Sequence, residues 1–157
     1  MKTMKKVPHR SPNHILDHLE DVYVPVLNKQ HQELHRCLLD FNDLVDYLSK
    51  KRPTPEEWKK IKETMDFLGN YAKEHFASEE LLMRKHSFPK LAEHKKEHDD
   101  FVRKYGELYH YLFDHGDILC VVDAKFFLLH WFSHHVNHID VEYREHFRQC
   151  GLLNDHC

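Results

Sequence analysis

Apolar residues recur at alternating three- and four-residue steps in four stretches of the chain, the spacing that puts side chains on one face of an α-helix. The first stripe reads Leu27, His31, Leu34, Leu38, Phe41, Val45, Leu48, and the second Trp58, Ile61, Met65, Leu68, Ala72, His75, Glu79, Leu82. The third reads Leu91, His94, His98, Phe101, Tyr105, Leu108, Leu112, and the fourth Leu128, Trp131, His135, Ile139. Breakers separate them. Pro25 suits a first helical position, and the pattern after it carries to about Ser49. Thr54 with Glu57 three residues on predicts a capping box, opening a second helix at Pro55 that runs to about His86. Ser87-Phe88-Pro89 ends it, a third helix spans about 89–113, and the His115-Gly116-Asp117 turn leads into a fourth that ends near Gly151. Four amphipathic helices with short connections predict an all-α fold, an antiparallel up-down four-helix bundle over 23–157 with an N-terminal arm over 1–22. Gly69 and Gly106 fall inside helical patterns, where each costs about 1 kcal/mol against alanine, and nothing in the sequence explains them.

Composition narrows the chemistry. The length, 157 residues, suits one domain, and the formal net charge of −3 lacks the basic excess of a nucleic-acid binder. Behind the basic Met1–Lys6 no apolar run follows, so neither a signal peptide nor a membrane span is expected, and the reading is cytoplasmic. Cysteines 37, 120, 150 and 157 show no CxxC spacing, which disfavours a zinc ribbon or thioredoxin-type centre. Free thiols are expected, with Cys150 and Cys157 close enough in sequence to pair under oxidation. Histidine is the anomaly, at 17 residues of 157.

Six of the polar residues sit where the periodicity demands core: His31, His75, Glu79, His94, His98 and His135. A lone histidine on a helix face is usually a satisfied core or boundary residue. Six drawn from four antiparallel helices at one height are another matter, because mutual imidazole hydrogen bonds would leave several donors and acceptors unmatched, and a buried carboxylate needs a partner. A metal centre near one end of the bundle resolves both problems. His75-x3-Glu79 and His94-x3-His98 are one-turn pairs that reach one ion or two adjacent ones. Rival pairs exist: His31 with His35, and His134 with His138. His35 and His134 lie a step off their stripes and read as solvated, while His138 stays a rival ligand. The zinc-protease motif HExxH is absent, since Gln32 follows His31.

The run His75-Phe76-Ala77-Ser78-Glu79-Glu80-Leu81-Leu82-Met83, the run His94-Lys95-Lys96-Glu97-His98, His31 within Asn28–Leu34, and Trp131 ahead of His135-x4-Asp140-x2-Tyr143 resemble the hemerythrins, above all the bacterial single-domain kind, over about 23–147. The resemblance implies a non-haem centre of two iron ions, oxo- or hydroxo-bridged, that binds dioxygen reversibly for storage, delivery or scavenging. Position by position it implies His94, His98 and His135 on one iron, His31 and His75 on the other, and Glu79 and Asp140 bridging. Asp140 comes from the resemblance alone. Five residues after His135 is about 140° around an ideal helix, so the helix must open locally or the side chain reach back. Phe76, Trp131 and Phe132 are the expected apolar wall of the oxygen pocket. Phe132 stands where leucine is common, His134 where Asn is, Asn137 at a usually apolar position, and Asn28 where Asp is usual.

Two carboxylates and one hydroxide against two ferrous ions leave a charge of roughly +1, which favours carriage over the high-valent chemistry of four-carboxylate oxygenases. Those enzymes also draw Glu-x-x-His from two helices, and only Glu107–His110 has that form here. Residue type alone also admits zinc or manganese. The other readings are an oxygen or redox sensor acting through a separate protein partner, a di-iron enzyme such as a nitric-oxide reductase or oxidase, and a structural metal site.

Overall fold

The computed structural model describes residues 18–151; the expected Cys150–Cys157 pairing and most of the arm lie outside them. Helix α1 spans Pro25–Leu48, α2 Pro55–Lys85, α3 Leu91–His115, α4 Ile118–His134 and α5 Asp140–Gln149. A five-residue π-turn, His135–Ile139, joins α4 and α5 into one rod. The four rods form an all-α bundle in which α1 packs on α2 and α4, α2 on α3, and α3 on α4.

The ends follow local chemistry. Thr54 and Glu57 form the reciprocal capping box, the hydroxyl accepting the Glu57 N–H at 3.3 Å and the carboxylate accepting the Thr54 N–H at 2.8 Å. Helix α3 lies two residues later than the periodicity suggests at both ends, because Phe88–Lys90 are taken up in the turn, where Ser87 is left-handed (φ 53°), and because Gly116 (φ 63°) supplies the left-handed cap that lets it run to His115. Asp117 then caps α4 by accepting the Leu119 N–H at 2.9 Å.

Every residue of the first stripe is buried. On α2 the stripe continues from Glu79 to Met83, and Leu82 is only half-buried. The fourth stripe is corrected more substantially: the π-turn adds a residue, Ile139 turns to a half-buried position, and Asp140, Tyr143 and Phe147 go in. Gly69 now has a reason. A Cβ there would lie 2.8 Å from Cε1 of Tyr105, whose ring is held by its hydroxyl donating to the Met65 carbonyl at 2.6 Å. A Cβ on Gly106 would meet nothing within 4 Å beyond its own helix backbone and chain neighbours, and its glycine has no structural explanation.

The interior has two apolar clusters. The larger holds Leu34, Ala72, Phe76, Phe101, Phe132 and Val136 with the residues beyond them; the smaller holds Val22, Val24, Leu27, Met83, Phe88, Tyr143 and Phe147. On every rod the histidines of interest fall between a residue of one cluster and a residue of the other, which sets them at one height. The smaller cluster is closed by the end of the arm, His18–Val24. The Asn137 carboxamide accepts the Glu20 N–H at 2.8 Å and donates to the His18 carbonyl at 2.9 Å. Arg144 donates to the Asp21 carbonyl at 2.9 Å, and Asn28 accepts the Val22 N–H at 3.1 Å while donating to Asp21 at 2.6 Å.

Candidate metal centre

Each rod contributes at the common level: α1 His31, α2 His75 and Glu79, α3 His94 and His98, and the fourth rod His135 and Asp140. All seven are buried, and Glu79 and Asp140 are 0% exposed. Five imidazole Nε2 atoms converge on the two carboxylates. Glu79 Oε1 lies 3.3 Å from His31 and 3.0 Å from His75, and Asp140 Oδ2 lies 3.0 Å from His31. The opposite oxygens face the other three rings. Glu79 Oε2 lies 3.4 Å from His94, 2.9 Å from His98 and 4.0 Å from His135, and Asp140 Oδ1 lies 3.1 Å from His94 and 2.9 Å from His135. The donors thus fall into two sets, His31 and His75 in one, His94, His98 and His135 in the other, and both carboxylates belong to both.

Asp140 reaches this level because the π-turn places it there. With about 4.4 residues per turn, the fifth residue after His135 returns to the same face, which an ideal α-helix would not allow.

The electrostatics suit a cation. Burial raises both carboxyls, and the Glu79 charge raises Asp140 further, yet the surrounding imidazoles outweigh this and hold both below the usual carboxylate range. Burial lowers His31 and His94, but hydrogen bonds to Asp140 and Glu79 prevail and bring each to about 9. Even so, none of these close contacts gives Glu79 Oε2, either Asp140 oxygen or His94 Nε2 a well-aligned hydrogen bond. His98 and His135 point Nε2 at Nε2 across 3.1 Å, room for one shared proton. Divalent cations in the two sets would use every one of these lone pairs, so the residues fit the group.

Outer contacts orient the rings. Gln30 Oε1 lies 2.8 Å from His75 Nδ1, and Glu80 Oε1 lies 2.8 Å from His98 Nδ1, so each ring donates outward and turns its Nε2 lone pair inward. Tyr143, its hydroxyl kept well above 10 by burial and by the Asp140 and Glu79 charges, donates to Glu79 Oε1 at 2.9 Å. Aromatic rings stack on two of the imidazoles: Phe76 on His98 at 4.0 Å between centroids, and Trp131 on His135 at 4.3 Å.

A cavity with about 30 Å³ of space for the centre of a water-sized molecule adjoins the cluster. Its walls are apolar, Phe76, Trp131 and Phe132 among them, except where His75 and His135 reach it. The three aromatic residues predicted as a wall therefore line one space. The rivals do not enter the cluster: His134 and His138 are exposed, and His35 is half-buried outside both donor sets. The sequence reading assigned no role to Gln30, Glu80, Tyr143 or Asn137. Only Tyr143, three residues after Asp140 and so on its face, carried a periodic signal; Gln30 and Glu80 adjoin ligand positions on faces that read as solvated.

Comparison with known proteins places this arrangement. Residues 22–147 match the family model described as the hemerythrin HHE cation binding domain. A bacteriohemerythrin of Clostridium acetobutylicum is 28% identical over 109 residues, covering 69% of this chain and 84% of that protein.

Proposed function

Because the chain belongs to the hemerythrin HHE cation binding domain family, we propose that it holds two iron ions and binds dioxygen reversibly, as a store, carrier or scavenger and not as an enzyme. The observation that carries this reading is the sharing of Glu79 and Asp140, each giving one oxygen to a two-histidine set and the other to a three-histidine set.

In this reading His31 and His75 would hold one ion and His94, His98 and His135 the other, with Glu79 and Asp140 available to both. The two-imidazole side has one protein donor fewer, and the cavity meets its His75 as well as His135 of the other set. When bound, the iron pair supplies the electrons and the free coordination position that reversible dioxygen uptake requires. The protein's own part is to orient and to exclude. Gln30 and Glu80 fix the His75 and His98 tautomers, Tyr143 fixes the turn of the Glu79 carboxylate, and Phe76, Trp131 and Phe132 keep bulk water from the open side.

Cavity size supports a binder. One water needs about 10–15 Å³ by this measure, so the space suits a diatomic such as dioxygen or nitric oxide and is small for an organic substrate. No helix among the described residues is long and apolar enough to cross a membrane. The test is metal content together with the optical spectrum of reduced protein before and after air. Two irons per chain and a visible absorption that bleaches on degassing are expected. Steady consumption of oxygen or nitric oxide under reductant would overturn the carrier reading in favour of an enzyme, and a colourless, redox-inert protein would make the site structural.

A further inference from the structure

His134 and His138 stand outside the buried cluster, on the exposed side of the fourth rod. His134 immediately precedes the π-turn and His138 lies within it, one residue before His135 and two before Asp140 respectively. Neither ring has a hydrogen bond or an ion pair among the described residues; the two rings adjoin each other, centroids 5.0 Å apart and planes at 41°. That spacing can be read against the buried pairs assigned above to a common ion. His31 and His75 are 4.6 Å apart, His94 and His98 4.7 Å, and His94 and His135 5.0 Å. The surface pair thus has the centroid spacing of the buried pairs. Exposure leaves its remaining coordination positions to water and removes any packing reason for two aromatic polar rings at this place.

We infer that His134 and His138 form a second metal site, on the surface, for a borderline first-row divalent cation such as copper(II), nickel(II) or zinc(II). Neutral imidazole suits these ions, whereas calcium and magnesium need the oxygen donors that the pair lacks. A cation bound there ties the last residue of α4 to a residue inside the π-turn that delivers Asp140 to the interior. It therefore braces the geometry of the buried carboxylate from outside without touching it. The site does not depend on what the buried centre binds.

Nickel(II) is the probe. The iron-loaded full chain is dialysed against nickel(II), washed, and assayed for both metals, beside His134→Ala, His138→Ala and, as a control on an exposed histidine of α3, His110→Ala. All three positions are exposed, so the variants fold. The unchanged chain and the control are expected to retain one nickel more than either His134→Ala or His138→Ala, with equal iron in all four. Nickel is also expected to raise the unfolding midpoint of the unchanged chain and the control but not of the two variants. Equal nickel in the unchanged chain and either variant would overturn the site, and so would a matching loss in His110→Ala. Iron content reports separately on the buried centre, so failure there is distinguishable from failure here.

Discussion

Without metal, protons hold the cluster together, and this gives the metal-free protein a pH dependence opposite in sign to that of the loaded one. His31 and His94 are raised from 6.5 to about 9: burial opposes the charge, and hydrogen bonds to Asp140 and Glu79 outweigh it. The folded chain therefore keeps protons that the unfolded chain releases, so this stabilisation is complete below about pH 6.5 and is lost as the pH rises through 9. At about 1.4 kcal/mol per pH unit the span comes to roughly 3 kcal/mol per imidazole. Both rings lean on the same two carboxylates, so the contributions do not add, and about 3 kcal/mol is expected for the pair. Glu79 and Asp140 are depressed, so their contribution is present above about pH 4.5 and fails on further acidification. Metal-free protein should thus be most stable between about pH 4.5 and 6.5. Bound cations need the same Nε2 atoms free of protons, so the loaded protein should gain stability across the range where the metal-free form loses it. Urea unfolding followed by circular dichroism, at pH values from about 5.5 to 9.5 with and without ferrous iron under anaerobic conditions, reads both slopes. Metal-free protein as stable at about pH 9.5 as at pH 6 would refute the proton-held cluster.

Four substitutions probe the bridge, the packing and the arm. Glu79→Gln keeps the shape but removes the charge shared by both donor sets, and iron content is expected to fall below one per chain; two irons retained would remove Glu79 from the bridge. Gly69→Ala forces a Cβ to within 2.8 Å of a pinned Tyr105 ring and should lose about 1–2 kcal/mol, whereas Gly106→Ala meets open space and should gain about 0.5–1 kcal/mol; thermal shifts of the same sign would contradict the packing account. Asn137→Ala loses both hydrogen bonds to the arm, about 1–2 kcal/mol together, and should speed amide exchange at Glu20; unchanged exchange there would mean the arm is held without Asn137, by Arg144, Asn28 and the burial of Val22 and Val24.

What could be read from the sequence was whatever obeys a period. Three- and four-residue steps located all four rods, and the same steps exposed the histidines and Glu79, since a polar residue on a buried face violates the pattern that reveals it. Asp140 was invisible to that logic because the π-turn changes the period between His135 and its own position; only the family resemblance selected it. The partners of Gln30 and Glu80 were hidden for a different reason, each being on another rod, 45 residues away for Gln30–His75 and 18 for Glu80–His98. Lys125 was missed likewise. It is 3% exposed within an apolar helix, and its ammonium is satisfied by Asp46 of α1 at 2.8 Å, a pairing that no local pattern announces.

Two positions at which the resemblance implies a different residue, Asn28 and Asn137, meet at the π-turn and the arm that crosses it. A π-turn has poorer hydrogen-bond geometry than the α-helix it interrupts, so the segment that brings Asp140 inward is an intrinsically weak part of the rod. Asn137, inside that turn, binds the arm backbone through both atoms of its carboxamide, and Arg144, one turn beyond Asp140, donates to the Asp21 carbonyl. Asn28 fastens the same stretch of arm from α1, through Val22 and Asp21. The arm therefore straps the turn to the first helix, and His31, three residues after Asn28, is drawn into the same fixed frame as Asp140. Asn28 and Asn137 thus both act on the placement of one shared carboxylate, and neither is a donor of the cluster itself.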